Sequence, residues 1–260
     1  MAFLIEGNRG DNFEEMIVKN SPHFNAKSSY KLLVKADALR LNNMFQESIK
    51  HYLAAMMIER NNIQIYLGLA QAYMHIDETD KAISTLEKAR KIAPEDPDIP
   101  YEIGCCFMKM GLPCVAIVCL KEAVLMNKDN IEAQLQLGMA HELLDENSMA
   151  LKIYQCMIDK HPSFLKAYQH KAALLVELHK YQEAAAVFAE LLKINPYYYK
   201  AILGIGICFD KLGKTTSAIR YYKKFLKVKP HSKNAPDVKE RLERIKKDRV
   251  MSPNNFLELA

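Results

Sequence analysis

Three stretches of this 260-residue chain carry residue types that could do chemistry. Leu212-Gly213-Lys214-Thr215 has the closing residues of a phosphate-binding loop. In such a loop backbone N–H groups cradle the phosphates, the lysine reaches them and the hydroxyl meets magnesium. The motif also needs a glycine five residues before Gly213, where Cys208 stands, and a preceding strand. Cys105-Cys106 with Cys114 and Cys119 would supply thiolates to a metal. No C-x-x-C pair occurs among them, and neighbouring residues of a helix point in divergent directions. They read as small buried apolar residues. His141-Glu142 opens like a zinc-protease motif, but the second histidine is missing. The eight histidines fall into no recognisable triad order. No catalytic residue, cofactor site or metal site is expected, and the chain reads as a non-enzyme.

The elements that would hold any site are helical. Half the residues are apolar, and glycine and proline are few, at nine and ten. That composition fits a folded protein and excludes both a disordered chain and a turn-rich β-protein. No apolar run approaches the roughly 18 residues of a membrane span. The start, Met-Ala-Phe-Leu-Ile, meets Glu6 at once and lacks a basic region before it, which makes a poor signal peptide. The six cysteines show no disulfide framework. Reduced thiols and a cytoplasmic location are the expectation.

A period of 34 residues organises the chain. Pro94, Pro162, Pro196 and Pro230 fall at multiples of it. So do Ala82, Ala116, Ala150, Ala184 and Ala218, with Ser48 before them. Ala36, Ala70, Gly104, Gly138, Ala172 and Gly206 form a column of small residues. Tyr52, Leu86, Leu120, Tyr154, Phe188 and Tyr222 form a column of large ones. A period of this length marks a solenoid of supersecondary units, each burying its apolar face on the next. Small residues let two helices approach, and the large residue fills the space between units.

These columns resemble the tetratricopeptide repeat family, whose pattern is Leu-Gly-x-x-Tyr in a first helix, then Ala, an aromatic, Ala and Pro in a second. Leu137-Gly138, Ile103-Gly104 and Leu69-Ala70 with Tyr73 match the first part. Ala82, Leu86, Ala89 and Pro94 match the second, as do Ala218, Tyr222, Phe225 and Pro230. The resemblance implies an all-α, right-handed superhelical solenoid of antiparallel helix pairs. Six repeats are placed at 29–62, 63–96, 97–130, 131–164, 165–198 and 199–232. Departures are Arg60 and Lys128 at the closing proline, His141 at the usual aromatic, and Lys35 and Lys171 at a usually apolar place. Residues 1–28 precede the period, with Asp11 placed to cap a short helix through Lys19. A capping helix is expected over 233–250, with Val238, Leu242 and Ile245 on one face, before a flexible tail at 251–260.

In the family the concave face comes mainly from the first helix of each repeat. Carrying that register across, the resemblance implies a peptide-binding groove. Its residues would be Gln71, Met74, Tyr101, Glu102, Cys105 and Met108, then Gln136, Met139 and Glu142, then Lys166, Gln169, Lys200 and Ile207. Amides can hydrogen-bond an extended backbone, and methionine adapts to varied partners. Some members grip a C-terminal carboxylate with Lys, Asn and Arg; here Leu33, Asp37, Gly68, Asp98 and Glu102 hold those places, and acids would repel a carboxylate.

The charge is uneven. Residues 214–249 hold 13 Lys or Arg and four Asp or Glu, a net of +9 in a chain that is +5 overall. A solvated last repeat accounts for this, and so would attraction to nucleic acid or an anionic surface. The leading expectation is a non-catalytic scaffold or adaptor that holds a peptide segment of another protein. Nucleic-acid or anionic-surface binding through 214–249 is the alternative, and self-association through an exposed end is a third mode of partnering.

Overall fold

The computed structural model describes residues 26–251. The helix expected from Asp11 to Lys19 and the tail beyond Met251 lie outside the described residues. These form thirteen helices joined by short turns, with no strand among them. The helices are α1 (Ala26–Leu41), α2 (Phe45–Ile58), α3 (Ile63–His75), α4 (Thr79–Ile92), α5 (Asp98–Lys109), α6 (Pro113–Met126), α7 (Ile131–Leu143), α8 (Asn147–Lys160), α9 (Leu165–Glu177), α10 (Tyr181–Ile194), α11 (Tyr199–Lys211), α12 (Thr215–Val228) and α13 (Ala235–Met251). No helix among the described residues is long and apolar enough to cross a membrane. The chain divides into two compact units, residues 1–140 and 141–260.

The turn inside each helix pair is set by one backbone conformation repeated at the 34-residue period. Asn43, Asp77, Gly111, Asp145, His179 and Gly213 all have positive φ, between 57° and 72°. Each ends its helix with two hydrogen bonds that reach back over the last turn. After α5, the Gly111 N–H donates to Met108 O at 3.1 Å and the Leu112 N–H to Phe107 O at 2.9 Å. After α11, the Gly213 N–H donates to Asp210 O at 3.0 Å and the Lys214 N–H to Phe209 O at 2.8 Å. Such a left-handed cap satisfies carbonyls that the helix leaves without partners and reverses the chain. Gly213-Lys214-Thr215 is therefore a helix-terminating turn, and the strand that a phosphate-binding loop needs is not before it.

Turns between pairs have a different conformation. Ala93, His161, Asn195 and Lys229 each precede a proline and leave the helical region, with φ between −129° and −138° and ψ between 69° and 94°, in line with the bar that proline sets on helical backbone in its neighbour. Glu59 and Asn127 adopt the same shape (φ −130°, ψ 85° and φ −133°, ψ 96°) although Arg60 and Lys128 follow them. Proline thus reinforces this bend without being necessary for it.

In the first unit the core is layered along the helix pairs. Tyr52, Ile49 and Ala55 of α2 pack with Ala36 of α1 and Ile65, Leu69 and Ala72 of α3. Leu86 and Ala89 of α4 pack with Ile99, Ile103 and Cys106 of α5. In the second unit Ala218, Tyr222 and Phe225 of α12 are sandwiched between Ile202 and Leu203 of α11 and Val238, Leu242 and Ile245 of α13. All six members of the large-residue column are buried. Each such side chain taken out of water contributes about 1.5–3 kcal/mol.

The small residues are small because the large ones sit on them. A Cβ on Gly104 would lie 2.7 Å from Leu120 of the same helix pair, and one on Gly206 would lie 2.8 Å from Tyr222. A Cβ on Gly68 would lie 2.5 Å from Tyr52, and one on Gly204 would lie 2.4 Å from Phe188, both from the preceding pair. A large residue is thus held between the first helix of its own pair and that of the next. Where serine replaces alanine at position 48, its buried Oγ donates to Ala36 O at 2.8 Å, which satisfies the hydroxyl.

Candidate peptide-binding faces

The buried large-residue column decides part of the chemistry on the first helices. Three of its members are tyrosines, and a buried phenol needs a partner. The residue 12 positions earlier supplies one in each case. Tyr52 Oη accepts from Arg40 Nε at 3.0 Å while donating to Asp37. Tyr154 Oη donates to Glu142 Oε2 at 2.7 Å, and Tyr222 Oη donates to Asp210 Oδ2 at 3.0 Å. Where the column holds Leu86, Leu120 or Phe188, the corresponding earlier residue is Met74, Met108 or Val176. Glu142, expected to face a ligand, is therefore engaged inside the protein. Burial and the neighbouring carboxylates push the Tyr154 and Tyr222 hydroxyls above the usual phenol range. The Tyr52 hydroxyl is pushed up to about 12.

In the first unit a cleft of about 410 Å³ opens beside α1, α3 and α5. Asp37, Asp98, Glu102 and Glu132 line it against the single guanidinium of Arg40. Gln71 and Tyr101 are also part of the wall. Glu102 is only 6% exposed and accepts a hydrogen bond from Gln71 Nε2. Burial raises its carboxyl, and Asp98 adds to the effect. Tyr101 is half-buried one turn before Cys105, and burial pushes its hydroxyl above the usual phenol range. The Cys105 thiol is pushed up to about 12, first by burial and then by Glu102. The acids noted at the carboxylate-gripping places, Asp37, Asp98 and Glu102, converge here with Gly68, whereas Leu33 packs on the core beside Tyr52. Met74 lies against the core, and its carbonyl accepts from Lys109, which also pairs with Asp77 at 2.7 Å. Met108, Gln136 and Met139 are half-buried.

In the second unit Gln169 accepts from the Tyr198 hydroxyl. Exposed Lys166 holds its ammonium 5.7 Å from the centre of the Phe164 ring. Lys200 and Ile207 line a cleft of about 780 Å³ with Tyr199, Leu203, Lys229 and Lys233. The last four were not anticipated. Tyr199 and Leu203 flank Lys200 on α11, but Lys229 and Lys233 lie on either side of Pro230 in the loop after α12, where the period carries no signal for side-chain direction.

The cysteines sit apart from any such chemistry. Cys106, Cys119 and Cys208 are buried, Cys105 is half-buried, and Cys114 and Cys156 are exposed. Among the described residues no group of three or more His, Cys, Asp or Glu is placed to hold a metal ion. His141 is 3% exposed and its Nδ1 pairs with Glu146, across the turn that holds Asp145.

Two family models described as tetratricopeptide repeat match residues 39–99 and 171–236. The chain is 23% identical over 194 residues to BBSome complex member BBS4 of Bos taurus, an alignment covering 75% of this chain and 37% of that protein. It is 25% identical over 237 residues to interferon-induced protein with tetratricopeptide repeats 2 of Mus musculus, covering 89% and 46%. The chain thus spans less than half the length of either relative. Among solved structures, the type IV pilus biogenesis factor PilW superimposes with a TM-score of 0.70 at 17% identity, over 81% of this chain and 97% of that one. MamA superimposes with a TM-score of 0.58 at 25% identity, over 67% and 94%. With the 34-residue columns, the repeated left-handed turns and the paired helices, these matches make the chain a member of the tetratricopeptide repeat family.

Proposed function

We propose that the chain is a non-catalytic interaction scaffold whose first-helix faces hold peptide segments of partner proteins. The observation that carries this is the division of labour within each helix pair. Second helices spend their apolar faces on the core. First helices present hydrogen-bonded Gln71, half-buried Tyr101 and carboxylates to an open cleft in the first unit, and Tyr199, Lys200 and Ile207 to one in the second. Side chains already fixed by neighbours lose little entropy when a ligand arrives, which favours binding by a weakly structured peptide.

The test is affinity capture from source-cell lysate with the wild-type chain beside Tyr101→Glu/Met139→Glu, each checked for folding by circular dichroism. A protein retained by wild type and lost by the folded variant supports the reading; equal retention removes the first-unit face from it.

A second reading assigns the basic end to nucleic acid or an anionic surface. Its support is that Lys223, Lys224 and Lys227 on α12 and Lys239 and Lys247 on α13 are all exposed. It demands binding that weakens steeply with salt. Enrichment that survives nuclease treatment and high salt would sink it.

A further inference from the structure

The larger cleft of the second unit combines an apolar floor with a basic rim. Tyr199, Leu203 and Ile207 of α11 form the floor, and the loop after α12 closes over it. Lys200, Lys229, Lys233 and His231 stand around it, and no acid lines it. The cleft runs on, past Leu203, Ile207 and Asn234, into a smaller hollow of about 220 Å³ against Val238 of α13. The nearby carboxylates do not neutralise the rim. Asp210 is taken twice by Arg241, at 2.7 and 2.8 Å, and once by the Tyr222 hydroxyl. Asp237 lines only the smaller hollow.

A cleft of this size takes one or two large side chains, and its floor rewards apolar ones. The lysines reward negative charge on either side of that anchor. We propose that this cleft binds an acidic segment of a partner protein, with a large apolar side chain seated on Tyr199, Leu203 and Ile207 and flanking carboxylates meeting Lys200 and Lys233. The assignment rests on the peptide-binding reading above and adds the chemistry of the partner. Tyr199 is the one phenol ring lining the cleft, whereas single-stranded nucleic acid stacks successive bases on several rings. Lys229 Nζ lies 5.5 Å from the centre of the Tyr199 ring, and Tyr198 and Phe225 pack at 6.4 Å centroid distance. A phosphate backbone would gain nothing from the aliphatic floor, whereas an acidic peptide uses floor and rim together.

The experiment is fluorescence anisotropy with labelled probes on the full chain. One peptide has a phenylalanine–leucine centre flanked by glutamates. A second replaces the glutamates by lysines, a third replaces the apolar pair by serines, and a fourth probe is short single-stranded DNA. Variants are Lys200→Glu/Lys233→Glu and, separately, Tyr101→Glu. Both lysines are exposed, so the reversal leaves the core intact. The acidic peptide should bind wild type, lose roughly tenfold or more in affinity on lysine reversal, and lose comparably on serine replacement. The lysine peptide should bind the reversed variant better than it binds wild type, an outcome that misfolding cannot mimic. Acidic-peptide binding indifferent to lysine reversal but lost in Tyr101→Glu overturns this assignment and leaves general peptide binding standing. DNA that displaces the acidic peptide and depends on the same lysines makes the cleft a phosphate site and overturns it. No binding of any peptide at millimolar concentration overturns both.

Discussion

The six left-handed turns give a sharp test of what shapes the helix pairs. An L residue held at positive φ costs about 1–2 kcal/mol relative to right-handed backbone, and glycine is spared that cost. Gly111 has φ 72°, and a Cβ added there would meet nothing within 4 Å. Gly111→Ala therefore changes conformational energy alone. Alanine recovers about 0.4–1 kcal/mol by restricting the unfolded chain, so the net loss is about 1 kcal/mol. His179 is the reverse case: φ is 58°, and its exposed side chain meets the Tyr181 hydroxyl through Nδ1 at 2.8 Å. His179→Gly relieves the backbone, re-admits unfolded-state entropy and forgoes that exposed contact, for a net gain of about 0.5 kcal/mol. Asn and Asp tolerate this region, so Asp77→Gly should stay within about 0.5 kcal/mol of wild type. Urea unfolding followed by far-ultraviolet circular dichroism reads all three, with an unchanged slope required for comparison. A neutral Gly111→Ala, or a His179→Gly that destabilises, would refute the idea that backbone handedness governs these turns.

Three further outcomes follow from the packing. Gly104→Ala drives a Cβ to 2.7 Å from Leu120 and should cost about 1–3 kcal/mol in thermal or urea unfolding, partly regained with Leu120→Val; full stability in the single variant would deny the close approach. Hydrogen bonding from Arg241 is the main cause holding the Asp210 carboxyl below its usual range. Its stabilising effect is present above the unfolded pKa and is lost as pH falls through the lower folded value. Arg241→Ala should therefore flatten the acid limb of stability against pH below about pH 4, and an unchanged limb would count against the pairing. Burial pushes the Cys105 and Cys106 thiols up to about 12 and Cys208 to about 11, while Cys114 and Cys156 are exposed. A thiol-reactive chromophore should label Cys114 and Cys156 promptly and the others only on unfolding; prompt labelling of Cys106 would contradict its burial.

Much of this architecture was legible in the sequence, because a repeat writes each packing rule six times. The Ala82 column, the Gly104 column and the Tyr52 column are constraints of helix approach, and they show in residue size at fixed spacing. Even the turn column was available in principle, since Asn43, Asp77, Gly111, Asp145, His179 and Gly213 are mostly residues that accept left-handed backbone. It was obscured because Asn, Asp and Gly also fill ordinary loops. Fold class and family follow from such patterns because the constraint is local and recurs.

The faces where a ligand would sit depend on contacts that do not recur. Glu142 and Met74 occupy the same place in the repeat, yet one is consumed by Tyr154 and the other rests on the core; only the identity of the packed neighbour separates them. Glu102 reads as an exposed helix acid but is buried with Gln71 across a helix boundary. Lys200 becomes part of a basic cleft only because the loop carrying Lys229 and Lys233 folds back over α11. Spacing along the chain specifies which residues share a helix face. Burial, pairing and charge at a site are set by side chains from other helices, and those only the tertiary structure brings together.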